Sequence, residues 1–135
     1  MIFKKQIQKI CDDLGFKLVY YPDKIAYYVE WNDSRFYSGK ATIAKIITED
    51  PIRNIDLVTT IHITRDFWQP YKTMTDDKRF KYIWEEVGDY YELDLTAPLL
   101  TRFFFKRLKK KIDKIDLIEK QEKIESKMRE LEKDF

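Results

Sequence analysis

The stretch Phe16-Lys-Leu-Val-Tyr-Tyr-Pro-Asp-Lys-Ile-Ala-Tyr-Tyr-Val-Glu-Trp31 sets the fold class. Phe16 to Tyr21 and Ile25 to Trp31 are two runs of aromatic and β-branched residues, the types that suit a pleated strand. Pro22-Asp23-Lys24 between them is a turn, so the runs form an antiparallel hairpin. The second run presents two faces, Ile25, Tyr27, Val29 and Trp31 against Ala26, Tyr28 and Glu30.

Upstream, Phe3, Ile7, Ile10 and Leu14 recur at helical spacing, and Gly15 is placed to end the helix. Cys11 lies beside this stripe and reads as core. Downstream, Asn32-Asp33-Ser34 turns into a short strand from Arg35 to Tyr37. Residues 40–49 mix helix formers with strand formers; Ser38-Gly39 before them and Pro51 after them favour a short helix. From Ile55 to Arg65 the alternation is clearest, with Ile55, Leu57, Thr59, Ile61 and Ile63 on one side. Phe67 to Thr75 reads as a loop rich in large side chains. Thr75-Asp76-Asp77 then caps a helix carrying Phe80, Ile83, Trp84 and Val87, ended by Gly88, and Tyr90 to Leu95 is a last short strand.

This order predicts an α+β fold: an antiparallel or mixed sheet of about four to five strands, covered by helices. A chain of 135 residues suits one such body. Residues 1–97 are expected to form it, and residues 98–135 a long, charged C-terminal helical arm. Pro98 suits a first helical turn and no Gly or Pro follows it. At 1.5 Å per residue such a helix is about 55 Å long, against about 30 Å for a domain of this size. Phe105, Leu108, Ile112 and Ile115 form one apolar stripe on it. Leu117, Gln121, Ile124, Met128, Leu131 and Phe135 form another. Ile124 lies about 160° around the helix from Leu108, so the stripes look in opposite directions. Either the helix breaks near Asp116 or each half has its own partner.

Composition excludes several function classes. One cysteine allows no intrachain disulfide and fits a reducing interior. One histidine, His62, rules out multi-histidine metal sites and Cys/His zinc fingers, and no nucleophile or acid partner for it is specified by spacing. Three isolated glycines, Gly15, Gly39 and Gly88, build no phosphate loop. The lysine-dotted N-terminus does not read as a signal peptide, and no stretch of about 18 apolar residues would span a membrane. No cofactor is expected. Asp23 with Glu30-Trp31-Asn32 resembles the metal-dependent nuclease pattern of an Asp followed by Glu-x-Lys on the next strand. The resemblance covers about ten residues and departs where Asn32 replaces the lysine that would orient water.

The basic cluster is Arg102, Lys106, Arg107, Lys109, Lys110, Lys111 and Lys114. Residues 98–135 carry a net charge of +4 and residues 1–97 a net charge of −2. Such a cluster is either a solvated helix face or a contact for nucleic acid or another anionic partner, since each neutralised phosphate releases counterions. Phe103, Phe104 and Phe105 spread around a helix, so they make no single stacking platform and at least one belongs in the core. Aromatic residues are 16% of the chain, more than so small a domain buries completely, which leaves aromatic surface such as Trp68 and Tyr71 for a partner.

These features point to a non-enzymatic interaction or assembly module, a subunit of a larger complex. It would dock protein partners, in a homo- or hetero-oligomer, through aromatic surface and through Leu117, Ile124, Met128, Leu131 and Phe135. The alternative is a nucleic-acid-binding accessory protein using residues 102–114. The abundance of Lys, Ile, Asp and Tyr fits an A/T-rich genome such as many phages have. The expected location is the cytoplasm, or the host cytoplasm or virion for a phage protein, with no membrane contact.

Overall fold

The computed structural model describes residues 1–36, 39–64, 70–74, 80–84, 90–93 and 97–133. Its order is α1 (Lys4–Leu14), β1 (Lys17–Tyr21), β2 (Ala26–Asn32), β3 (Lys40–Asp50), β4 (Ile55–Thr64), β5 (Pro70–Met74), β6 (Phe80–Trp84), β7 (Tyr90–Leu93) and α2 (Pro98–Lys133). Five strands form one antiparallel sheet in the order β1-β2-β3-β4-β7, and β5 pairs with β6 in a separate hairpin. The fold is α+β, with a long C-terminal helix.

One core lies between the sheet and the two helices. Ile7, Ile10 and Cys11 come from α1, Val29 from β2, Ile43, Ala44 and Ile46 from β3, and Val58, Ile61 and Ile63 from β4. Phe105, Leu108, Ile112 and Ile115 of α2 complete it, so the first half of α2 shares the body's core. Phe16 joins the layers, with edge-to-face contacts to Trp31 at 6.0 Å and Phe105 at 6.2 Å.

α1 begins one residue later than the apolar spacing suggests. Phe3 is its N-cap, and its N–H donates to Gln6 Oε1 at 2.7 Å, half of a capping box. Ile2 instead fills the core position, its carbonyl accepting from Val58 N–H at 3.0 Å. Gly15 closes α1 at φ 78°, and a Cβ there would meet the Trp31 ring at 3.2 Å. Glycine is therefore required by both the left-handed backbone and the close approach.

Five local expectations are corrected. Residues 40–49 are strand, not helix. The buried set Ala41, Ile43, Ala44, Ile46 and Thr48 looks helical because a β-bulge opposite Val29 and Glu30 shifts the parity of β3. A second irregularity between β3 and β4 puts Val58 in the core beside Ile61 and Ile63, while Ile55 is exposed. Arg35 is not in a strand: residues 33–36 turn, with Phe36 N–H donating to the Asp33 carbonyl. Phe80–Trp84 is β6 rather than helix, and Pro70–Met74 is β5 rather than loop. Phe80-Lys-Tyr-Ile-Trp84 carries aromatic and β-branched residues, and in so short a run helical and alternating spacings cannot be told apart. The proposed cap at residues 75–77, Val87 and Gly88 lie outside the described residues.

Candidate functional site: the outward face of α2

α2 is one continuous helix from Pro98 to Lys133, with no break at Asp116. Thr101, Phe105, Leu108, Ile112 and Ile115 are its buried residues, and none lies beyond Ile115. From Asp116 to Lys133 the helix continues for about 27 Å. Leu117, Ile124, Met128 and Leu131 sit there at 59–65% exposure, on the face opposite the core stripe. Gln121, between Leu117 and Ile124, is exposed as well. Phe135 and Trp68 lie outside the described residues, and of Tyr71 only its place on β5 is described.

The junction is held from the body. Arg35 reaches α2 from the turn after β2, donating to Asp116 and to Glu119 Oε2 at 3.3 Å. Asp33 grips the same guanidinium, with Arg35 Nη2 at 2.6 Å, and also accepts from Trp31 Nε1 at 3.2 Å. Burial pushes the Asp33 carboxyl up, but the hydrogen bonds from Arg35 and Trp31 outweigh it and hold it below the usual carboxylate range. Lys109 caps this cluster, its ammonium 4.1 Å from the Trp31 ring centroid and 2.7 Å from Asp113 Oδ1.

The basic cluster is split by its contacts. Arg102 pairs with Asp13 of α1 at 2.8 Å, and Lys109 is engaged as above. Lys111 is half-buried, whereas Lys106, Arg107, Lys110 and Lys114 are exposed. Those four share the outward face with Phe103, itself 59% exposed. Of the three phenylalanines, Phe105 is core, Phe104 packs against the core and Phe103 points to water.

Two constellations escape sequence inspection because they are assembled across strands. On the sheet face away from the helices, Glu30 Oε2 accepts from Tyr21 Oη at 2.7 Å and from Lys40 Nζ at 2.7 Å. Lys40 also donates to Tyr21 at 2.8 Å, and the bond to Glu30 raises its pKa above the ordinary lysine value. The Glu30 of the nuclease-like pattern is thus committed to an ion pair that closes on a neighbouring strand. Asp23 is exposed in the turn, and no cluster of three or more potential metal ligands occurs among the described residues. The second constellation is the Asp33–Arg35 strap onto α2. His62 lies half-buried on β4, opposite Lys45 in register. Burial, with a smaller push from Asp12, raises the Cys11 thiol to about 12, so it stays protonated in the core.

No helix among the described residues is long and apolar enough to cross a membrane. Comparison with protein-family models, with curated proteins and with solved structures finds no match to this chain.

Proposed function

We propose that this protein is a non-enzymatic assembly module, a subunit of a larger protein complex that docks a partner chain through the distal half of α2. The observation that supports this reading is the apolar stripe Leu117, Ile124, Met128 and Leu131, exposed on a helix that continues past its last core residue. An isolated amphipathic helix of this length is marginal in water, because such helices draw stability from packing their apolar face. A stripe of this kind is usually covered in the working state. The amino-acid usage fits a phage or other mobile element as the setting. Cross-linking of the native complex, with the full chain and with a chain ending at Lys120, tests the proposal. Neighbours cross-linked to the full chain should be lost from the truncated one; an unchanged set would overturn it.

One observation favours a second reading. Lys106, Arg107, Lys110 and Lys114 run along the outward face of the helix that begins with exposed Phe103, an arrangement suited to a phosphate backbone. DNA or RNA affinity that falls steeply between low and physiological salt would favour it. Affinity without salt dependence, or none, would leave the cluster as solvation.

A further inference from the structure

We infer that the chain docked on the distal arm is a second copy of this protein, the two α2 helices pairing in parallel from Leu117 onward. This rests on the reading of the arm as a docking element and adds the identity and direction of its partner.

Leu117, Gln121, Ile124, Met128 and Leu131 follow one another at spacings of four, three, four and three residues. That is the seam of a heptad repeat, with Leu117, Ile124 and Leu131 at d and Gln121 and Met128 at a. In this register Lys120 and Lys127 occupy the two g positions. Glu125 and Glu132 occupy the e positions five residues after each of them. All four are exposed. In a parallel pair, g of one helix meets the following e of the other. Lys120 would then face Glu125 of the second copy, and Lys127 would face its Glu132. Two-fold symmetry doubles this to four attractive contacts. Antiparallel pairing brings g against g and e against e, setting lysine on lysine and glutamate on glutamate. The charges therefore select one direction.

They also select the partner. A helix built for an unlike chain needs no complementarity between its own two edges. Here one edge is basic, the other acidic, and the offset between them is the one a parallel two-fold requires. Gln121 contributes too, since a polar side chain at an a position fixes register at some cost in stability.

The geometry of the body permits the pairing. The core residues of α2, Phe105, Leu108, Ile112 and Ile115, and its contacts through Arg102, Phe104, Lys109, Asp116 and Glu119 lie on the arc away from the seam. Two bodies would sit on the outsides of the pair. Upstream, the same seam reaches Lys114, Lys110 and Arg107, where like charges from two copies oppose each other. Pairing therefore begins at Leu117 and the helices diverge before it. Only about two and a half heptads remain, so association is weak and depends on concentration.

The test is sedimentation equilibrium of the full chain from roughly 10 µM to 1 mM. The mass should rise from one chain towards two. The double substitutions K120E/K127E and E125K/E132K each turn the four contacts repulsive. Each should raise the dissociation constant by roughly tenfold or more at low salt, since exposed pairs are individually weak but here act together. An equimolar mixture of the two variants should restore the dimer, because every g–e contact is again opposite in charge. Q121C should oxidise to a cross-linked dimer through the a position, and the buried Cys11 thiol will not compete. These residues are exposed, so the circular dichroism of each body should be unchanged.

A single-chain mass throughout, no rescue on mixing, or no cross-link through Q121C would overturn the inference. If the full chain stays monomeric while truncation after Lys120 still removes cross-linked neighbours, the arm docks an unlike chain; the second-copy inference then fails and the docking reading stands. If truncation changes neither mass nor neighbours, both fail.

Discussion

Ending the chain at Lys120 removes Ile124, Met128 and Leu131 of the distal stripe and should leave the fold of the body almost untouched. Among the described residues none beyond Ile115 is buried, and Ile124, Met128 and Leu131 keep about 60% of their surface in water. Asp116 and Glu119, which bind Arg35, remain. The deletion therefore takes away none of the buried core residues of α2 and neither of the ion pairs from Arg35 to α2, and half-buried Glu122 goes with it. Its cost should be that of exposed positions, within about 0.5 kcal/mol, or a midpoint shift of about 2–3 °C for a domain of this size. Phe105→Ala is the internal standard. That ring is fully buried against Phe16, so its truncation should cost about 3–5 kcal/mol. Urea unfolding followed by circular dichroism reads both. The measurement belongs at low micromolar protein, where self-association adds nothing to apparent stability. A loss of about 3 kcal/mol or more on truncation would mean that the distal helix packs on its own body. The docking reading would then lose its support.

Other outcomes follow from the same contacts. Gly15→Ala should destabilise by about 1–2 kcal/mol in urea unfolding, because φ 78° is left-handed and the new methyl presses on Trp31. Cys11 should be inert to thiol reagents at pH 8 and react only on unfolding; rapid native labelling would contradict its burial. The lowered pKa of Asp33 means that its pairing stabilises the fold above the ordinary carboxylate pKa, and that this contribution is lost as pH falls through the native value. Asp33→Asn should thus lower the urea midpoint at pH 7 much more than at pH 3; equal losses at both would refute the linkage. Changing Lys106, Lys110 and Lys114 together to Gln should flatten the salt dependence of any anionic-partner binding, and an unchanged slope would remove the nucleic-acid reading.

What the sequence determined is what depends on local periodicity. The stripe Ile7, Ile10 and Leu14 ending at Gly15 is α1, because helical spacing and a left-handed glycine are both local. The hairpin at Pro22 is legible for the same reason, although Ile25 turns at φ 49° and β2 starts only at Ala26. The two opposed stripes of α2 are legible too, since each residue's place around a helix follows from its number. Tertiary structure decided the rest. β3 needed its neighbours: Ala41, Ile43, Ala44, Ile46 and Thr48 make sense as one face only when the bulge opposite Val29 and Glu30 is in place. The Tyr21–Glu30–Lys40 cluster joins three strands through register, which no spacing along the chain encodes. Above all, the body's hold on the start of the distal arm comes from outside the helix. Arg35 takes hold of Asp116 and Glu119 from a turn 81 residues earlier in the chain than Asp116, and α2 runs straight through. That contact leaves the distal stripe facing water, because the helix is fixed by its polar side while its apolar side points away from the body.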